Sequence, residues 1–241
     1  MNHRTRAIIL HTTKYSNTSL IVKSYTEEFG AQTYIISGIR KSKSKVNINL
    51  FQPLSLVEIV SVNKRADSMG RITEISWAPA FVNIPFDMVK GTIAMFLSEV
   101  LYRSIKEEEK NTTLFNFLHN SIQILDTVHS GANTFHYYFL IQLTKHLGNY
   151  PRGNYVEEGC YFDLREGLFL DCIPSHPDYT GKETARIIYT LMRGELSDIP
   201  EGLINKSNKE EVLGALVSYY EIHQTHGSRI RSHNVLHEIM Q

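Results

Sequence analysis

The chain has 241 residues, a length that fits one large domain or two smaller ones. Its composition, 42% apolar with 7 proline and 14 glycine residues, excludes a disordered protein, and no apolar run approaches the roughly 20 residues of a membrane span. The two cysteines, Cys160 and Cys172, exclude a disulfide framework and a four-cysteine zinc site. We therefore expect a folded cytoplasmic protein.

The formal net charge of zero conceals an uneven distribution along the chain. Residues 1–80 contain eleven Lys and Arg against five Asp and Glu, a net charge of +6, and residues 81–241 carry −6. A basic module attracts polyanions such as nucleic acid, although chance clustering on a solvated surface gives the same count. The uneven charge indicates two domains with different partners. We assign residues 1–80 to a DNA-binding domain and residues 81–241 to a second domain, which the apolar spacing described below predicts to be helical.

The first 80 residues carry five short runs rich in β-branched side chains, which is typical of strands. We predict strands at residues 6–13, 19–25, 31–37, 54–62 and 71–77. Polar turn segments separate them, such as Tyr15-Ser16-Asn17. Five strands in this length fit a small closed barrel, and the five-stranded OB-fold is the version that binds single-stranded nucleic acid.

The segment at residues 37–45 places four cations in six positions of a polar loop. Lys and Arg in such a loop neutralise phosphates by releasing counterions, so binding is sensitive to salt and blind to sequence. A loop that only aids solubility remains the alternative. With the other cations of the barrel it gives the predicted DNA-binding set: Arg4, Arg6, Arg40, Lys41, Lys43, Lys45, Lys64, Arg65 and Arg71.

Three tyrosines, Tyr15, Tyr25 and Tyr34, lie close to the basic strands. A tyrosine on the barrel surface can stack its ring on a base. A tyrosine in the core has a buried ring, and only its hydroxyl reaches the rim of the barrel. The sequence leaves both possibilities open.

Beyond residue 80 the apolar spacing changes to 3 and 4, which indicates helices. Helices are predicted at residues 88–105, 114–129, 133–147, 182–193, 209–223 and 232–240. An irregular stretch at about 152–178 holds a possible short hairpin across Glu166-Gly167. The fold class is therefore α+β and multidomain, with an N-terminal five-stranded OB-fold barrel followed by an all-α helical bundle.

Segments spread along nearly the whole chain resemble one family by their order and spacing. They include Gly-Ile-Arg-Lys-Ser-Lys-Ser at 38–44, Leu-Phe-Gln-Pro-Leu at 50–54, Leu-Gly-Asn-Tyr-Pro at 147–151 and the basic tail at 228–236. The chain resembles the RecO family of bacterial DNA repair and recombination mediators. The resemblance implies binding of single- and double-stranded DNA, annealing of complementary strands, and a place in the bacterial cytoplasm at the nucleoid. It also implies contacts with RecR and with the C-terminal tail of the single-stranded DNA-binding protein, so that RecA can be loaded.

Many members of that family carry a zinc finger of two Cys-x-x-Cys pairs, and this chain departs from that pattern. Cys160 and Cys172 are single cysteines, and His176 is the one further candidate ligand nearby. Three ligands do not close a structural tetrahedral site, so we expect a degenerate zinc-finger-like insert with no metal.

No motif for catalysis is evident. A Walker-type phosphate loop is missing from the sequence, and the acidic run Glu107-Glu108-Glu109 is a solvated linker rather than a nuclease centre. We expect no enzyme activity and no cofactor. Arg229 and Arg231 are the candidate partner-binding residues, for a terminal carboxylate or for DNA. The alternative function is a non-enzymatic protein–protein adaptor built on the same barrel.

Overall fold

A computed structural model of the chain describes residues 2–39, 46–62, 69–129, 131–153, 155–156, 159–225 and 227–239. It divides into two compact units, one ending at Thr127 and the other beginning at Val128. Among the helices described, none is both long enough and apolar enough to cross a bilayer.

The first unit begins with the five strands that the sequence predicts. They are β1 (Asn2–Lys14), β2 (Ser19–Thr26), β3 (Gly30–Ser37), β4 (Leu56–Val62) and β5 (Gly70–Trp77). The strand β1 begins four residues earlier than predicted, because its N-terminal half pairs with β4 from Asn2↔Val62 to Ile8↔Leu56. Its C-terminal half pairs with β2, so one long strand belongs to both sides of the barrel.

The strands close in the order β1-β2-β3-β5-β4. Neighbours are antiparallel except β3 and β5, which run parallel through Tyr34↔Gly70 and Ile35↔Arg71. Closure pairs the edge strands, which would otherwise expose unpaired backbone groups. This five-stranded closed barrel is the predicted OB-fold, and the prediction is confirmed.

The barrel has one apolar surface inside and a second outside. The interior is filled by alternating strand residues such as Ile9, Val22 and Ile59. The outer side chains Ile8 and Tyr25 are also buried. Two helices of the same unit, α1 (Met88–Ser104) and α2 (Thr112–Thr127), pack on this outer surface. The Ser98 hydroxyl of α1 donates to the Leu10 carbonyl. The ring of Phe115 in α2 stacks near that of Tyr25, with their centroids 6.4 Å apart.

The carboxylate of Asp126, near the end of α2, holds the segment that leads from the barrel into α1. It accepts three backbone N–H groups, from Val82, Asn83 and Ile84, each at 2.8 Å. The buried Lys90 of α1 donates to the Asp126 carbonyl at 2.8 Å. These hydrogen bonds fix α1 and α2 to each other and to the segment that follows β5.

The second unit is built on α3 (Ala132–Leu147), α4 (Lys182–Arg193), α5 (Lys209–His223) and α6 (His233–Ile239). The Tyr220 hydroxyl of α5 donates to the Leu140 carbonyl of α3 at 2.8 Å, and Gln142 of α3 donates to the Leu191 carbonyl of α4 at 3.0 Å. The described residues of the whole chain form six α-helices, as predicted, with α1 and α2 in the first unit and the other four here.

The predicted insert contains the hairpin β6 (Tyr161–Asp163) and β7 (Leu168–Leu170). A third strand, β8 (Tyr179–Thr180), pairs with β6 and was not predicted, because two residues are too short for a recognisable alternation.

The boundary predicted at residue 80 marks the change from strands to helices. The compact units divide later, after Thr127, because α1 and α2 pack with the barrel. A division of function at residue 80 stays a prediction.

Candidate nucleic-acid interface

Of the nine cations predicted to bind DNA, the structure describes Arg4, Arg6 and Arg71. The other six lie outside the described residues: Arg40, Lys41, Lys43, Lys45, Lys64 and Arg65. The geometry of the predicted interface therefore rests on three side chains and on the places where the two undescribed basic segments join the barrel.

Arg4 and Arg6 are two residues apart on β1, so their side chains share one face of the strand. Each is paired with a carboxylate. Arg4 lies 3.1 Å from Glu58 in an exposed ion pair, and Arg6 donates from Nε and Nη2 to both oxygens of Glu27 at 2.8 and 2.6 Å. Such bidentate pairing fixes a guanidinium in place and offsets its charge.

The environment of Arg6 shows how firmly it is held. Its guanidinium carbon also lies 5.3 Å from the centre of the Phe115 ring. The hydrogen bonds to Glu27 raise the pKa of Arg6, and the same bonds lower the pKa of Glu27. Arg6 is therefore the least available of the three cations for a phosphate.

Arg71 at the start of β5 is exposed. Within the described ranges no carboxylate lies within 4.0 Å of it. On the outer surface it shares the β4–β5 region with Glu58 and Glu74, so this part of the barrel carries both signs of charge.

The barrel brings together the anchor points of the two undescribed basic segments. Residues 40–45 follow Ile39, just beyond the end of β3, and residues 63–68 join β4 to β5. Since β3 pairs with β5 at Ile35↔Arg71, the two segments leave from adjacent strands beside Arg71. Gly38 and Ile39 also donate to the Thr18 carbonyl, which holds the end of β3 against the β1–β2 turn.

The three tyrosines near the basic strands have different environments. Tyr25 and Tyr34 are buried in the barrel wall, so neither presents a ring face to a base. Tyr15, in the β1–β2 turn, is 64% exposed. Of these three described tyrosines, Tyr15 alone has a ring exposed enough to stack on a nucleotide.

A second basic cluster was not singled out from the sequence. Lys23 of β2 donates to the Tyr102 hydroxyl at 3.2 Å and lies 4.9 Å from the centre of its ring. Lys106, just after α1, lies 5.0 Å from the same centre and donates to the Tyr102 carbonyl at 2.7 Å. The two lysines are far apart in the chain, and no spacing rule pairs a strand residue with a linker residue.

Two family models together match most of the chain. Residues 1–81 match the model described as Recombination protein O N terminal, and residues 85–229 match Recombination protein O C terminal. The chain belongs to the RecO family. Curated relatives named DNA repair protein RecO include those of Phocaeicola vulgatus, 36% identical over 240 residues, and Flavobacterium psychrophilum, 34% identical over 242 residues. Each alignment covers 99% of this chain and 99% of the relative.

The zinc finger of many RecO members does not fit the residues present here. The buried Cys160 accepts the Val156 N–H at 3.1 Å, Cys172 is exposed, and the His176 ring is hydrogen-bonded to Asp163 at 3.1 Å. In the described part of the chain, no group of three His, Cys, Asp or Glu side chains is placed to hold a metal. The same fold region is instead organised by Asp163 and by the packed rings of Phe162 and Phe169.

Arg229 and Arg231, the predicted partner-binding residues, lie between α5 and α6 of the second unit, and both are exposed. Ile230 between them is buried, and its N–H donates to Glu221 at 2.8 Å. This anchor holds the backbone that carries the two arginines.

Proposed function

We propose that this RecO family protein is a DNA repair and recombination mediator that binds single- and double-stranded DNA and anneals complementary strands. With RecR it would help to load RecA, after contact with the C-terminal tail of the single-stranded DNA-binding protein. Family membership supports the repair and recombination role. We place the protein in the bacterial cytoplasm at the nucleoid and assign it no enzymatic step.

One observation carries the DNA-binding part. In the OB-fold barrel, β3 and β5 are adjacent, and they carry the anchor points of both basic segments together with the exposed Arg71. A strand of DNA held there would have its phosphates neutralised by Arg71 and by the cations of residues 40–45 and 63–68. Neutralised phosphates on two strands repel each other less, which permits complementary bases to pair. Arg4 and Arg6 add less, because each is already paired with a carboxylate.

The second unit is the proposed partner-binding part, with Arg229 and Arg231 as its cations. They are suited to a terminal carboxylate because a guanidinium binds carboxylates in a two-pronged way. Loss of both arginines should weaken binding of a tail peptide and leave DNA binding largely intact. Unchanged peptide binding would remove them from this role.

The direct test is a fluorescence anisotropy titration of labelled single-stranded DNA at several salt concentrations. A variant with Arg40, Lys41, Lys43 and Lys45 replaced by alanine should lose about three units of the slope of log K against log salt, at roughly 0.7 per phosphate. In the same variant, complementary strands should anneal more slowly. Energy transfer between dyes attached to the two strands measures this rate.

A matched control removes four cations from the second unit: Lys145, Arg186, Arg193 and Lys206. We expect its salt slope to equal that of the wild type. An unchanged slope in the first variant would remove residues 40–45 from the interface. A wild-type protein that does not bind DNA would refute the proposal and favour the adaptor function.

A further inference from the structure

The cluster around Tyr102 concentrates positive charge on the outer face of β2 and β3. His11, Lys23 and Thr33 occupy one row across three strands, since Lys23 pairs in register with His11 on one side and with Thr33 on the other. Their side chains therefore point to the same side of the sheet. Lys106 reaches this row from the linker after α1.

Among the residues that the structure describes, neither lysine has an ion-pair partner. Over the residues described, no carboxylate oxygen lies within 4.0 Å of the Lys23 or Lys106 nitrogen. Arg103 adds a further cation, and its guanidinium is paired with Glu99 at 2.7 Å. Of the described residues that line the adjoining cavity, only Glu108 carries a carboxylate.

The pKa values are consistent with cations held close together. Burial, and then repulsion from Lys23 and Arg103, lowers the pKa of Lys106, against an opposing effect of Tyr102. Burial followed by the same two cations lowers the pKa of His11, which Glu99 partly offsets. Each charged form would be stabilised by an anion beside it.

A cavity of about 120 Å³ adjoins the lysines. Its lining combines both lysines with Thr33 and the apolar side chains of Leu10 and Ile105. A space of this size is large enough to admit a compact oxyanion.

We propose that Lys23 and Lys106 form a phosphate subsite that binds one backbone phosphate of a nucleic-acid strand crossing the outer face of β2 and β3. The inference rests on the proposed DNA binding and adds a contact outside the predicted set of nine cations. A nucleic acid fits better than an acidic peptide, because OB-folds bind oligonucleotides on the face of strands 2 and 3. Lysine also suits phosphate, which it binds as a compact point charge.

The test uses the full chain and the double variant K23Q/K106Q, which keeps the length of both side chains. Its affinity for labelled single-stranded DNA should fall about threefold at moderate salt, and its salt slope should decrease by about 0.7, as expected for one phosphate. The matched control is K145Q, since Lys145 also lies 4.9 Å from a tyrosine ring centre, that of Tyr150 in the second unit. We expect K145Q to behave as the wild type.

A second readout follows the His11 ring by NMR during titrations with inorganic phosphate and with a short oligonucleotide. Either ligand should raise the pKa of His11 in the wild type, because it offsets the charge of Lys23 beside the ring. Neither ligand should do so in K23Q/K106Q.

Wild-type affinity and slope in K23Q/K106Q would overturn the subsite and leave the proposed function standing. A His11 response to free phosphate but not to the oligonucleotide would overturn the assignment to nucleic acid, as would displacement of phosphate by an acidic peptide but not by DNA. Absence of DNA binding by the wild type would instead refute the proposed function itself, together with this inference.

Discussion

At the scale of single residues, Arg6 and Arg71 lie on strands of the same barrel but have different surroundings. Arg6 forms two hydrogen bonds with Glu27, whereas Arg71 has no carboxylate within 4.0 Å in the described ranges. We expect R71Q to lower the salt slope of DNA binding by about 0.7 and to change stability by less than about 0.5 kcal/mol. R6Q should instead cost about 1 kcal/mol of unfolding free energy, a modest value because the pair is partly solvated.

Anisotropy titrations and urea unfolding of both variants measure these two effects separately. An equal loss of salt slope in R6Q and R71Q would show that Arg6 also contacts DNA.

His136 of α3 predicts a specific sensitivity to acid. Its ring is fully buried beside Tyr137, and burial lowers its pKa to about 3. In the unfolded chain the pKa of histidine is near 6.5, so the unfolded state binds more protons between these values, and stability falls as the pH drops below about 6.5. From pH 7.0 to pH 5.0 this group alone should cost about 2 kcal/mol, since the slope approaches roughly 1.4 kcal/mol per unit only well below pH 6.5.

Urea unfolding at pH 7.0 and pH 5.0 checks the value. H136L should lose less stability on acidification than the wild type, whereas H129Q, at an exposed histidine, should behave as the wild type. The same pH dependence in H136L and the wild type would contradict this assignment.

The residue scale is also where the sequence predicted least. The nine cations are predicted from residue type and position, and composition cannot show that Arg6 contacts Glu27, just past the end of β2, or that Lys106 and Lys23 both approach the ring of Tyr102. Both contacts depend on strand register and on where a linker passes the barrel. The burial of the two tyrosines is equally hidden from the sequence, because Tyr34 lies inside the closed barrel and Tyr25 lies on its outer side beside Phe115 of α2.

At the scale of elements, the insert between α3 and α4 is organised around a buried carboxylate. Asp163 accepts the N–H groups of Arg165 and Glu166 at 2.8 and 3.1 Å, and its other oxygen accepts from His176. Replacing it with alanine leaves these donors without a partner, so D163A should cost about 2–3 kcal/mol.

Addition of a chelator such as EDTA should leave the unfolding temperature of the wild type unchanged.

Thermal unfolding followed by circular dichroism measures both effects. The control is D171A, at an exposed carboxylate of the same insert, which should be near neutral. A fall in unfolding temperature on adding EDTA would show that a metal holds the insert.

Elements were the best-predicted level of this protein. The bounds of α4 and α5 match those predicted, because apolar spacing and nearby polar or glycine residues define their ends. The two-residue strand β8 is not predicted. The predicted β1 is too short, because its first residues are polar and adopt a strand conformation only through their pairing with β4.

At the scale of the whole molecule, the uneven charge predicts which part of the protein binds DNA. Residues 1–80 carry +6 and the rest −6, so a bound oligonucleotide should protect the barrel and not the helices of the second unit. In hydrogen-exchange mass spectrometry with saturating single-stranded DNA, we expect slower exchange in β2, β3 and β5. At a hundredfold excess over the dissociation constant, binding should stabilise the protein by about 2.7 kcal/mol.

Exchange in α4 and α5 serves as the internal reference and should stay constant. Protection confined to residues 182–223 would place the nucleic acid on the second unit and refute the prediction that the basic residues 1–80 bind it.

The burial of Ile8, Leu10 and Tyr25 has a practical consequence for dissecting the protein. Truncation at residue 80 would remove the contacts that Ser98 makes with Leu10 and Phe115 makes with Tyr25, and would leave an apolar patch in water. Such a fragment is prone to self-association, which would obscure any measurement of its own ligand binding. Expression of the barrel by itself is better served by a stop codon after Thr127, where both covering helices are retained.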